Sequence, residues 1–192
     1  MKALAPTLLA AALLSASLAQ AAEVAGIGFA PQASVDNSTL TLNGAGLRTR
    51  LTFKVYAMGL YLRNPATGST EILQDAGEKR IRIVMIRDLD GKQFADALLD
   101  GLRRNHDEAT LAALKPATDA LLAAVLDSGE AKSGTEVILD RLANGATRLL
   151  INGQPRGSDI SDPAFYPALL RIWLGERPAD AGLKASLLES AR

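Results

Sequence analysis

Hydrophobic and polar positions alternate with period two in several stretches of the chain and with helical spacing in others. Short β-like segments stand at 24–29 and 39–42, and Asn43-Gly44 after them reads as a turn. Over 47–62 the odd positions Leu47, Leu51, Phe53, Val55 and Tyr61 are apolar, while the even ones begin polar with Arg48, Arg50, Thr52, Lys54 and Tyr56. That pattern predicts a long strand with one buried face. Past Tyr56 the second face becomes apolar too, through Met58, Leu60 and Leu62, so this half is expected to be covered on both sides. A further strand is expected over 80–87, where Ile81, Ile83 and Met85 alternate with Arg82, Val84 and Ile86.

The period then changes. Phe94, Ala97, Leu98, Gly101 and Leu102 share one helical face, with Lys92, Asp96, Asp100 and Arg103 on the other. A second helical region over 108–126 is expected to break at Pro116. Strands return at 136–142 and 146–151, joined by the hairpin signal Asn144-Gly145, and Asn152-Gly153 makes another turn. Asp162-Pro163 reads as N-cap and first residue of a helix that stops at Gly175, and a last helix is expected over 179–188. Strands, helices, a hairpin, then helices give an α+β domain: a mostly antiparallel sheet with helices on one face.

Residues 1–21 follow a different rule. Lys2 precedes an apolar run over 3–18, and Ala19-Gln20-Ala21 is a small-x-small cleavage pattern. The run falls short of the ~20 apolar residues of a spanning helix. It therefore reads as a signal peptide over 1–21, leaving one domain over 22–192 that works in the periplasm or is secreted. No second run of spanning length follows, so no membrane span is expected after cleavage. Residues 22–192 keep all 21 acidic side chains and lose only Lys2 from the 21 basic ones, so nothing favours nucleic acid as a partner. With no cysteine and one histidine, thiol catalysis, thiolate metal sites and a Ser-His-Asp triad are disfavoured, and neither metal nor cofactor is expected.

Arg48 and Tyr56 are the candidate chemistry. An arginine and a tyrosine converging in an apolar pocket bind a carboxylate or polarise a carbonyl, one through a charged fork and the other through a hydroxyl. The plainer reading is a solvated strand face. Eight residues of straight strand would hold the two roughly 26 Å apart, so they share a pocket only if the chain turns or bulges sharply near 49–52. His106 reads as a surface residue in a charged hinge. Asp88-Leu89-Asp90-Gly91 reads as a strand-to-helix turn, since it lacks the further ligands of a calcium loop. Gly44-Ala45-Gly46 is no phosphate loop, because a strand follows it.

The block Leu42-Asn43-Gly44-Ala45-Gly46-Leu47-Arg48, followed by Lys54-Val55-Tyr56-Ala57-Met58-Gly59-Leu60-Tyr61-Leu62, resembles the start of the chalcone isomerase fold. It is most like the bacterial chalcone-isomerase-like proteins. Gln93-Phe94 opening a helix, the strand over 134–139 and Arg171-Ile172-Trp173-Leu174-Gly175 before a terminal helix agree in order. The resemblance implies an open-faced β-sandwich, a large antiparallel sheet under a layer of helices with a ligand cleft between them. It also implies three kinds of function: isomerases that close a chalcone to a flavanone, fatty-acid binders, and non-catalytic relatives. The isomerases' catalytic arginine matches Arg48. Their threonine is Tyr56 here, as in the fatty-acid binders, their catalytic tyrosine is Phe94, and their asparagine is Gly101.

The resulting expectation is a non-catalytic binder of a small amphiphilic or apolar ligand such as a fatty acid. Arg48 and Tyr56 would hold the polar head, and Met58, Leu60, Val84, Phe94, Leu98 and the helix over 165–173 would form the walls. The alternative is an isomerase (intramolecular lyase) acting on an enone, with Arg48 as its catalytic electrophile. A third possibility is a structural or interaction protein with a filled cleft. Oligomeric state is left open.

Overall fold

All neighbouring strands of the main sheet run antiparallel, and its seven strands follow one another across it in chain order. The structure is a computed structural model that describes residues 21–189, so the expected leader lies outside the described residues except for Ala21. A small antiparallel pair, β1 (Ala22–Val24) and β2 (Ile27–Phe29), comes first. The sheet follows with β3 (Gln32–Val35), β4 (Ser38–Arg50), β5 (Phe53–Leu62), β6 (Lys79–Met85), β7 (Glu136–Arg141), β8 (Thr147–Ile151) and β9 (Gln154–Pro155). Helices α1 (Ser69–Gln74), α2 (Gly91–Asn105), α3 (Glu108–Ala113), α4 (Lys115–Asp127), α5 (Phe165–Leu174) and α6 (Ala181–Leu188) complete it. This is the expected α+β, open-faced arrangement. No helix among the described residues is long and apolar enough to cross a membrane.

The sheet carries two cores because period two sends alternate side chains to opposite faces. Tyr56, Met58, Leu60, Ile81, Ile83, Val137 and Leu139 face the helices and pack with Phe94, Leu98, Leu169 and Trp173. Ala57 and Tyr61 face the other way, with Phe29, Leu40 and Leu42. The β1–β2 pair therefore covers β5 from behind, as the two apolar faces of its second half required. Beyond that cover the outer face is charged. Arg80 donates two hydrogen bonds of 2.7 Å to Asp140, which stands opposite it in the ladder. Arg82 donates to Glu136 and lies over the Phe29 ring, 5.0 Å from its centroid.

Two readings from the alternation need correction. The stretch over 47–62 is not one strand but the facing halves of a hairpin, reversed at Leu51-Thr52. Asn43-Gly44 is not a turn but lies inside β4. Leu42 pairs with Tyr61 and Gly44 with Leu60, so Asn43 is an extra, bulged residue. A bulge inserts one residue and exchanges the faces that follow. Before it, Leu40 and Leu42 point at the β1–β2 pair. After it, Gly44 and Gly46 face α6, where a Cβ on Gly46 would come 2.7 Å from Ser186 Cβ. Arg48, next but one along β4, is thereby carried to the helical face. Asn43 is wholly buried; its amide donates to Leu187 O at 2.7 Å and accepts from Ala66 N at 2.8 Å.

Helix α2 begins where Asp90 accepts from Lys92 N at 2.6 Å, so the Asp88–Gly91 segment is the expected strand-to-helix turn. Its apolar stripe of Phe94, Leu98 and Leu102 is buried against α4 and α5, each side chain worth about 1.5–3 kcal/mol of burial. Residue 114 separates α3 from α4, with Pro116 in the first turn of α4. Gly145 takes φ +85° in the β7–β8 turn, the left-handed region the Asn-Gly signal predicts. Helix α5 starts at Phe165, later than Asp162-Pro163 suggested. Asp162 instead accepts from Ala164 N at 2.9 Å, forming a turn ahead of the helix, and Gly175 closes it as expected.

Candidate functional site

Arg48 and Tyr56 are directly opposed residues of the β4–β5 ladder. Arg50 and Phe53 close the hairpin with two residues between them, and Leu51 takes φ +55° there. Arg48 then pairs with Tyr56 while Thr49 pairs with Lys54, so Val55 bulges out of the ladder. Its carbonyl is taken by Ile86 N at 3.0 Å. The hairpin removes the separation a straight strand would impose, and the bulges put both side chains on the helical face.

Tyr56 is buried, and its hydroxyl oxygen accepts from Trp173 Nε1 on α5 at 2.8 Å. Burial raises its pKa, and the Trp173 hydrogen bond and the charge of Arg48 offset only part of that rise, so the phenol is neutral at pH 7. Among the described residues the Tyr56 oxygen accepts from Trp173, and no group accepts its own proton. Arg48 is half-buried. Its hydrogen bonds leave from Nη1, to Ala179 O and, at 3.1 Å, to Thr49 O. Among the described residues no carboxylate forms an ion pair with it.

The link from α5 to α6 passes over this pair. Ala179 N donates to Ile172 O at 2.7 Å, and its carbonyl receives Arg48. Asp180 caps α6 by accepting from Leu183 N at 3.0 Å, and it also accepts from Thr49 N and Thr49 Oγ1, both at 3.0 Å. Burial pushes the Asp180 carboxyl up, but these hydrogen bonds outweigh it and hold the pKa below its ordinary value. Together with Asn43 at its far end, these contacts latch α6 onto β4. The sequence pattern missed this latch. An aspartate ahead of an apolar run signals a helix start at Asp180, but nothing local says that the cap also grips Thr49. Trp173 was legible as part of the helix expected to wall the site, not as the partner of Tyr56.

The remaining candidate residues fall into two groups. Met58, Leu60, Phe94 and Leu98 meet on the helical side, packed in the main core. Val84 does not join them. It pairs with Ala57 and Glu136 and so faces the opposite side of the sheet, which removes it from any wall shared with Met58. Phe94 brings no hydroxyl. Gly101, where the isomerases carry asparagine, lies so close to α5 that a Cβ would stand 2.7 Å from Ile172 Cγ2. Two surface clefts of about 420 and 440 Å³ lie elsewhere, one beside Asp90 and Gly129, the other among Arg103, Arg104, His106, Arg171 and Arg177. In the second, Arg103 and Arg104 occupy the last turn of α2, where cations offset the negative helix end. His106 is the C-cap of α2 and is not simply a surface residue, for its Nε2 stands 3.0 Å from Ala168 O. Among the described residues no group of three or more His, Asp or Glu could hold a metal ion.

No curated protein matches the sequence. Among solved structures the chain is similar to the crystal structure of an Arabidopsis thaliana fatty-acid binding protein. The match covers 85% of this chain and 92% of that one, at 16% sequence identity and a TM-score of 0.63, a likeness of fold. The family model described as chalcone isomerase-like matches residues 21–189, the whole of the described structure, and the chain belongs to that family.

Proposed function

We propose that the protein is a non-catalytic, exported binder of a small amphiphile with an acidic head, of the fatty-acid class. The observation that carries this reading is the pairing of Arg48 with Tyr56. A half-buried guanidinium with no carboxylate partner among the described residues faces a neutral phenol whose proton finds no acceptor among them. A carboxylate would take the Arg48 fork from the Ala179 carbonyl and accept from Tyr56, and its chain would pass beneath α6 toward Met58, Leu60, Phe94 and Leu98. Entry then requires the 179–180 segment to lift, because those apolar residues fill the space between sheet and helices. The similar Arabidopsis thaliana structure is of a fatty-acid binding protein, which supports the same class of ligand. Chemistry on an enone is disfavoured, since Phe94 and Gly101 supply no donor to stabilise developing charge beside Arg48.

Trp173 is the sole tryptophan and touches Tyr56, so its emission reports on the site. Titrating delipidated protein with a long-chain fatty acid should give a saturable change. Arg48→Ala should weaken binding by about 1.5–3 kcal/mol, as for a hydrogen bond to a charged group, and Arg48→Lys should restore part of it. Arg50→Ala should bind as the parent does. Equal losses for Arg48→Ala and Arg50→Ala would mean diffuse electrostatics. A parent that binds nothing would favour the filled-core, structural reading, which the close packing of Met58, Leu60, Phe94 and Leu98 makes the second choice.

A further inference from the structure

The tip of the β4–β5 hairpin is built unlike the rest of the surface. Leu51 is 91% exposed and Phe53 55%, and they are two of the three large hydrophobic side chains exposed among the described residues. Leu51 takes φ +55°, a conformation that crowds the Cβ of an ordinary side chain against the following carbonyl and that glycine, or to a lesser degree asparagine, adopts more readily. A leucine is thus held in water, in a strained turn, where a polar residue would fit better. Arg87 lies over the Phe53 ring, 4.7 Å from its centroid. Arg50, Lys54 and Arg87 are all exposed, and none of them has an ion-pair partner among the described residues. Two carboxylates of adjoining segments are engaged elsewhere, Asp180 by Thr49 and Asp88 by Ser133 N.

We infer that this hairpin tip docks on an anionic lipid surface. Leu51 and Phe53 enter the apolar edge of the headgroup layer, and Arg50, Lys54 and Arg87 lie on the lipid phosphates. The apolar tip alone would suit any hydrophobic partner, but the surrounding cations fit a surface that offers negative charge beside hydrocarbon. A β-turn with two inserted side chains does not span the bilayer, so the association is peripheral and reversible. The same hairpin carries Arg48 and Thr49, and docking would bring the α6 latch to the membrane. The inference uses none of the buried residues of the proposed ligand site and stands whether or not that site binds a fatty acid.

The test uses the chain over 22–192, which holds every described element and leaves out the apolar leader that would bind lipid by itself. Co-sedimentation is measured with vesicles of phosphatidylcholine mixed with phosphatidylglycerol and with vesicles of phosphatidylcholine alone. The parent should bind the mixed vesicles, and salt should weaken that binding. Leu51→Asn and Phe53→Ser should each weaken it about tenfold, from the apolar area no longer buried. Arg50→Gln and Lys54→Gln should each weaken it roughly fivefold. Leu51→Asn relieves the turn, so its melting temperature should equal or exceed the parent's, which separates loss of docking from loss of fold. Fatty-acid titration in solution should be unchanged in the tip variants, so failure of docking and failure of the ligand reading are distinguishable. A parent that ignores mixed vesicles, or tip variants that bind them like the parent, overturns the inference. So does a parent whose exposed tip proves to be a self-association surface, sedimenting as a dimer that Leu51→Asn dissolves, without vesicle binding.

Discussion

Asn43→Ala probes the residue that sets both the sheet register and the α6 latch. The wild-type amide makes two hydrogen bonds in a fully buried site, one to Leu187 O at 2.7 Å and one from Ala66 N at 2.8 Å. Alanine removes both and leaves a backbone carbonyl and a backbone N–H without partners. Each orphaned group costs about 1–3 kcal/mol, and limited relaxation at the end of α6 lowers the sum, so a loss of about 2–4 kcal/mol is expected. For a domain of this size that is a fall of roughly 5–15 °C in melting temperature. Urea unfolding followed by Trp173 emission measures it, with an expected midpoint shift of about 1–2 M.

Asn43→Asp sharpens the test. The new carboxylate still accepts from Ala66 N but sets a second acceptor against Leu187 O. Only the protonated acid restores a donor there. The folded-state pKa of the introduced carboxyl would therefore rise above the unfolded value of about 3.9. The stability it contributes is present below the unfolded pKa and lost as pH rises through the folded one. The variant should be close to the parent in acid and most destabilised at neutral pH. A loss below about 0.5 kcal/mol for Asn43→Ala, within the range of ordinary surface changes, would refute the reasoning. So would an Asn43→Asp variant whose deficit grows toward acid.

The Asp180 carboxyl has a lowered folded pKa, so its contribution is present above the unfolded value of about 3.9 and lost as pH falls through the folded one. Hydrogen exchange at the Thr49 and Leu183 amides, corrected for intrinsic rates, should therefore accelerate selectively in acid, and a flat profile would count against the latch. Gly101→Asn, which restores the isomerases' side chain, should destabilise by about 1–3 kcal/mol through overpacking against Ile172 in thermal melts. Combined with Phe94→Tyr it should give no stereoselective chalcone cyclisation, and turnover would reopen the enzymatic reading. Expression with the leader should yield a periplasmic chain whose N-terminal sequencing starts at Ala22; intact Met1 on the exported protein would contradict export by cleavage.

Periodicity and turn chemistry, which depend on neighbours in the chain, were enough to foresee most of the elements. The stripe of Phe94, Leu98 and Leu102, the break at Pro116, the Asn144-Gly145 hairpin and the stop at Gly175 all follow from side chains within a few residues of one another. The doubled apolar pattern past Tyr56 foretold a strand covered on both faces, and from these elements the α+β layering follows. Which face each residue takes was not legible, because a bulge is invisible to a period-two count. Asn43 and Val55 each add one residue to a strand, and each addition exchanges inside for outside for everything after it. A turn residue and a bulge residue share the same chemistry, so Asn43-Gly44 read as a turn, whereas the strand register makes Asn43 a bulge whose amide α6 takes through Leu187. Likewise Leu51 and Phe53 matched a buried face, yet they sit at the end of a hairpin that no element among the described residues covers. The meeting of Arg48, Tyr56, Trp173 and Ala179 joins positions up to 131 residues apart. Local pattern supplies each of those residues, but only the packing of α5 and α6 onto the bulged sheet brings them within hydrogen-bonding reach.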